Sequence, residues 1–146
     1  MKKAVLSFLL GIFSLAGCTS PGIPGIGVFD GKLKPCPASP NCVSSQSSGE
    51  RHGMEAIPYT TTGNEAKERL RDIIKGMEGS SIITEKDDYI HAEYRSALFG
   101  FIDDAEFYLD NTRKLIHFRS ASRVGYYDFG VNRKRMEAIR KKFLAP

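Results

Sequence analysis

Residues 104–121 read DAEFYLDNTRKLIHFRSA, two alternating runs separated by a short polar loop, and their pairing decides the fold. If Asp110 stands opposite Leu115 across loop 111–114, Phe107 meets Phe118 and Leu109 meets Ile116 on one face. On the other face Glu106 meets Arg119 and Tyr108 meets His117. A slip of one residue would set Glu106 against Phe118. Only the first register separates apolar from polar partners, so the stretch predicts an antiparallel hairpin in that register.

Two further strand-like runs precede this hairpin, at 81–86 and 89–96. Before them, Ala66, Leu70, Ile73, Ile74 and Met77 recur on one helical face and predict a helix over 63–78. Thr62 with Glu65 forms its capping box and Gly79 its stop. After the hairpin, Met136, Ile139 and Phe143 predict a helix over 132–144, with Asn132 as N-cap and Val131 stapling to Met136. The order helix, four strands, helix predicts an α+β domain: an antiparallel four-stranded sheet with both helices packed on one face.

The chain opens on Lys2 and Lys3, then an apolar stretch over 4–15 and small residues before Cys18, the three parts of a secretory signal peptide. About a dozen apolar residues are too few to span a bilayer, which takes roughly 20. The segment Leu15-Ala16-Gly17-Cys18 resembles the lipobox of bacterial lipoproteins. That resemblance implies cleavage after residue 17 and acyl chains on Cys18, palmitate among them, and two or more chains anchor a protein stably. Thr19 is not the aspartate that retains such proteins in the inner membrane of enteric bacteria. The expected address is therefore the cell envelope, as an outer membrane lipoprotein facing the periplasm.

Residues 18–34 hold the lipidated Cys18 and a Gly- and Pro-rich stretch without periodicity, expected to be a flexible tether with a reach of about 50 Å. Residues 35–146 form a single globular domain, with no internal repeat. Removing the signal takes two lysines and no acid from a formal net charge of +4. The remaining charge is small, and with an envelope address it excludes nucleic acid as a partner.

With Cys18 committed to lipid, Cys36 and Cys42 remain, in a compartment that oxidises thiols. A disulfide is the first reading, and closing so short a loop contributes roughly 2.4 kcal/mol in the chain-entropy model. A nucleophilic cysteine paired with His52, His91 or His117 and a thiolate metal site are the alternatives, although the spacing matches no zinc signature.

The stretches LKPCPASPNCVSSQ (33–46), HAEYRSALFGFIDDAEFYLD (91–110) and RSASRVGYYDFGVNRKRMEAIRKKF (119–143) closely resemble the domain of unknown function 1499 family of bacterial envelope and plastid-lumen proteins. The resemblance covers nearly all of 35–146 and implies no particular activity. Tyr127 stands where the family pattern has a small residue after the first tyrosine of the last motif, which argues against a serine nucleophile there.

Alternation places Tyr89, His91, Glu93, Arg95, Glu106, Tyr108, His117 and Arg119 on the sheet face away from the helices. These are the residue types of a ligand face, but a solvated face with cross-strand ion pairs has the same pattern and is the expectation. His91 and His117 lack a third ligand, so no metal site is assigned. Among Asp103, Asp104 and Glu106, alternation sends Asp103 to the opposite face, so pairing with Arg119 or Arg123 is expected rather than a three-carboxylate site. The loop ALFGFI (97–102) can touch a partner or a membrane, with core burial the expected fate. Ser44, Ser45, Ser120 and Ser122 sit in no nucleophile-elbow context, and no phosphate-loop or cofactor motif is present.

Arg133, Lys134 and Arg135 crowd the start of the last helix, against its dipole, so something negative is expected beside them. An internal network with Asp103, Asp104 or Asp128 would serve. So would a bound anion held by the free amides with Arg119, Ser120, Ser122, Arg123, Asn132, Arg133 and Arg135. The functional expectation is a membrane-anchored, non-catalytic envelope module that binds a small anionic ligand, a glycan or an envelope protein. A hydrolytic enzyme using the Asp/Glu cluster or a cysteine, and a purely structural lipoprotein, are the alternatives.

Overall fold

The computed structural model describes residues 25–146. The expected signal peptide 1–17, the expected lipid site Cys18 and the expected tether up to residue 24 lie outside the described residues. The elements are β1 (Cys42–Ser44), β2 (Ile57–Pro58), α1 (Gly63–Lys75), β3 (Ser80–Glu85), β4 (Tyr89–Arg95), β5 (Ile102–Asp110), β6 (Leu115–Ser122) and α2 (Val131–Leu144).

The hairpin β5–β6 has the expected register, with Glu106 opposite Arg119, Phe107 opposite Phe118 and Asp110 opposite Leu115. The fold is α+β with an antiparallel sheet, but the sheet has six strands rather than four, in the order β1-β6-β5-β4-β3 with β2 also on β6. Two strands therefore precede α1, which corrects the expected element order. β1 pairs with Arg119–Ala121 and β2 with Leu115 and Ile116, dividing the free side of β6 between them. Each is too short to show periodicity; they form because that side of β6 would otherwise present unpaired backbone groups.

Thr62 and Glu65 make the expected capping box. The helix stops at Lys75, sooner than expected, because the Met77 amide tightens onto the Ile74 carbonyl and the Ser80 hydroxyl donates to the carbonyls of Ile74 and Met77. Gly79 has φ +71°, and a Cβ there would collide with the carbonyl of Arg95. It is the hinge into β3 rather than the helix stop.

Ala66, Leu70 and Ile74 of α1 and Met136, Ile139 and Phe143 of α2 join Ile90, Ala92, Phe107 and Phe118 of the sheet in one buried core. Each large apolar side chain so buried contributes about 1.5–3 kcal/mol. Both helices thus lie on the apolar face. The cap of α2 differs from expectation: Gly130 is the N-cap, in the left-handed region, and Asn132 is buried within the first turn.

The opposite, polar face is not solvated. His91, Asp104, Glu106, His117 and Arg119 are all buried, Glu106 with no exposure at all. Part of the cover comes from residues 25–34, which fold back as a narrow strap instead of serving as tether. Phe29 and Lys32 exchange backbone hydrogen bonds at its turn, the Gly27 amide donates to Glu106, and Leu33 is buried with its amide on the Gln46 side chain. The polar pattern of the strands is that of a half-exposed sheet, but carboxylates facing inward supply acceptors that a glycine-rich backbone can satisfy.

Candidate functional site

On the polar face, Glu106 receives Tyr89 Oη at 2.8 Å, the Gly27 amide at 2.8 Å and Arg119 Nη1 at 3.4 Å. Burial, followed by the charge of Glu106, pushes the Tyr89 hydroxyl far above its ordinary range, so it acts here only as a donor. Beside this pair His117 stacks on Tyr108, with ring centroids 6.3 Å apart, and its Nδ1 lies 3.3 Å from Ser45 Oγ. Burial lowers the pKa of His117 and favours the neutral ring. His117 Nε2 and Arg119 Nε are buried without a hydrogen-bond partner among the described residues.

Next to them, His91 Nε2 meets Asp104 at 2.8 Å, and Arg123 reaches back over the strand to hold Asp104 and Glu93. Burial alone would raise the Asp104 pKa; hydrogen bonds from Arg123 and His91 overcome it and hold the carboxyl down at about 2. The same contacts with Asp104 raise the pKa of Arg123 above its ordinary value.

A third assembly lies on the helix face. Ser120 Oγ donates to Asn132 Oδ1 at 2.6 Å, Asn132 Nδ2 reaches Ser122 and Asp128, and Arg135 bridges Asn132, Ser120 and Asp103. Arg135 also lies over the ring of Tyr94, 4.4 Å from its centroid. Asp128 accepts the amides of Gly130 and Asn132 at the start of α2.

The seven residues expected to surround an anion therefore do not form one site. Ser120, Ser122, Asn132 and Arg135 come together. Arg119 and Arg123 project to the other sheet face, and Arg133 turns to the carbonyls of Glu50, Arg51 and Gly53. The negative partners at the helix start are Asp128, on the amides of Gly130 and Asn132, and Asp103, on Arg135, while Arg119 takes no part because the odd-numbered residues of β6 face away from Ser120 and Ser122. Cys36 and Cys42 are joined in a disulfide. Among the described residues no group of three His, Cys, Asp or Glu side chains is placed to hold a metal ion.

An open cleft of about 350 Å³ runs between the strap and the Tyr89 end of the sheet, lined by Gly27, Val28, Asp30, Gly31, Lys86, Asp88, Tyr89 and Tyr108. Sequence reasoning included Tyr89 and Tyr108 in a possible ligand face but missed the strap. Its one local signal was the density of glycines at 25, 27 and 31.

Fold and pairings define a small α+β domain whose polar sheet face is partly closed by its own N-terminal strap. A family model described as protein of unknown function (DUF1499) matches residues 32–143, and the chain belongs to that family. No curated protein and no solved structure matches it.

Proposed function

We propose that this is a lipid-anchored envelope lipoprotein, anchored in the outer membrane, whose domain is a non-catalytic module binding a small glycan in the strap cleft. The composition of that cleft carries the reading. Two carboxylates, Asp30 and Asp88, and one ammonium, Lys86, stand around the tyrosines Tyr89 and Tyr108. Mixed acceptors and donors beside aromatic rings suit a polyhydroxylated ligand better than a plain anion, which the two carboxylates would repel. A hydrolytic reading is disfavoured by the pairing of its acids: Asp103, Asp104 and Glu106 each contact an arginine.

The test is titration of the full-length protein, in a detergent without a sugar headgroup, with neutral and amino-sugar oligosaccharides and with inorganic phosphate. Saturable stabilisation by an oligosaccharide, weakened by Tyr108→Ala and Lys86→Ala, is expected. Stabilisation by phosphate alone would replace the glycan with an anion, and no saturable response to any probe would reject the cleft as a binding site.

A further inference from the structure

The loops at one end of the sheet are unusually apolar for an exposed surface. Loop β4–β5 exposes Leu98, Phe99 and Phe101 at 81%, 70% and 54%, and loop β6–α2 exposes Tyr126, Tyr127 and Phe129 at 73%, 57% and 79%. The two loops are neighbours in space, since Asp103 pairs with Ser122 and the Arg123 amide donates to the Ile102 carbonyl. The expected burial of 97–102 in the core does not occur, because the Ser96 amide donates to the Phe101 carbonyl and the Phe101 amide to the Ser96 hydroxyl, closing the loop on itself and turning it outward.

The strap shows at which end of the sheet the described chain begins. Its turn at Phe29–Lys32 lies beside Tyr108, Gly27 lies beside Glu106, and Gly25 lies against the Lys34 side chain. Passing from Gly31 back to Gly27 therefore runs from the Tyr108 level of β5 to the Glu106 level, toward Ile102 and the apolar loops. Only six residues lie between Cys18 and Gly25, seven steps along the chain, a reach of about 24 Å when fully extended.

We propose that this end of the domain lies on the membrane, with the β4–β5 and β6–α2 loops in the lipid interface. The inference rests on the reading of Cys18 as the lipid anchor. A chain that leaves toward the apolar loops and has so short a reach brings that end to the bilayer first. Aromatic side chains are the type that settles at the headgroup boundary, and an interfacial element sinks about 5–10 Å into it. Arg95, exposed at the base of the first loop, adds attraction to anionic headgroups.

The chain contains no tryptophan, so a single introduced one reports its own surroundings. Phe99→Trp, Phe129→Trp and, at the opposite end, Phe29→Trp are made in the full-length protein and reconstituted in phosphatidylethanolamine/phosphatidylglycerol vesicles with or without brominated acyl chains. Intact mass reports acylation, and Leu98→Trp replaces any loop variant whose unfolding temperature falls. Blue-shifted emission quenched by bromine at the loop positions, with neither change at Phe29→Trp, is the expected result. Acylated protein whose loop tryptophans are unquenched, or quenched no more than the one at position 29, overturns the proposal and leaves the anchor standing. Unquenched loops that instead cross-link two chains overturn it in favour of self-association. If the mass shows no acylation, the anchor reading fails separately. Vesicles added to that protein then decide the loops' own affinity, quenching supporting the proposal and its absence overturning it.

Discussion

Glu106 and Arg119 stand opposite each other on β5 and β6 and meet at 3.4 Å, both shut away from water on the face of the sheet that the strap crosses. A surface pair of this kind contributes about 0.2–1 kcal/mol, whereas removing one partner of a buried pair costs about 3–5 kcal/mol because the other charge is left uncompensated. Glu106→Ala should therefore lower the unfolding free energy by that larger amount. In a double-mutant cycle Arg119→Ala should add much less on top of it. Additive losses measured by urea unfolding would show that the two side chains act independently.

Asp104 makes a pH-dependent contribution of known sign. Its carboxyl is held at about 2 against an ordinary 3.8, so the folded state favours the charged form. The stabilisation is complete above the ordinary value and is lost as pH falls from about 4 toward 2, amounting to about 2 kcal/mol. Asp104→Asn should flatten the acid limb of a stability profile over that window. An unchanged slope would mean that other carboxylates govern acid unfolding.

Asp128 serves as the cap that Gly130 has no side chain to provide. Replacing it with alanine removes acceptors from the amides of Gly130 and Asn132 and should cost about 0.5–2 kcal/mol. Amide exchange should quicken at the start of α2 and leave α1 unaffected.

Reduction of the Cys36–Cys42 disulfide should lower stability by roughly 2.4 kcal/mol in the chain-entropy model. That contribution acts through the unfolded chain, so protection should fall evenly across the sheet. A loss confined to the β1–β6 pairing would mean instead that the bridge holds β1 in place.

For the anchor, Cys18→Ala should leave an unprocessed precursor without bound lipid, since the modification that precedes cleavage needs the thiol. Membrane fractionation with intact mass checks this. Normal processing and retention of the variant would remove the lipid anchor from the proposed function.

The core hairpin was legible because its information is local. In 104–121 two apolar sets fall opposite each other in one register only, and both helices announce themselves by a single apolar stripe. The capping box of Thr62 and Glu65 is likewise a contact between residues three apart. β1 and β2 escaped because their existence depends on the free side of β6 and not on their own residues.

The seven residues grouped near α2 show the same limit for a site. Sequence proximity put Arg119, Arg123 and Arg135 together, but the sheet lies between Arg135 on the helix face and Arg119 and Arg123 on the polar face, and each finds its own acid. The sequence alone determined the register, the two helices and the demand for negative charge at the start of α2, since all three follow from periodicity and local electrostatics. Only the tertiary structure decided that Asp128 and Asp103 meet that demand, that Glu106 is buried, and that residues 25–34 cross the polar face. These depend on contacts such as Gly27 with Glu106, which are remote along the chain and leave no periodic trace in it.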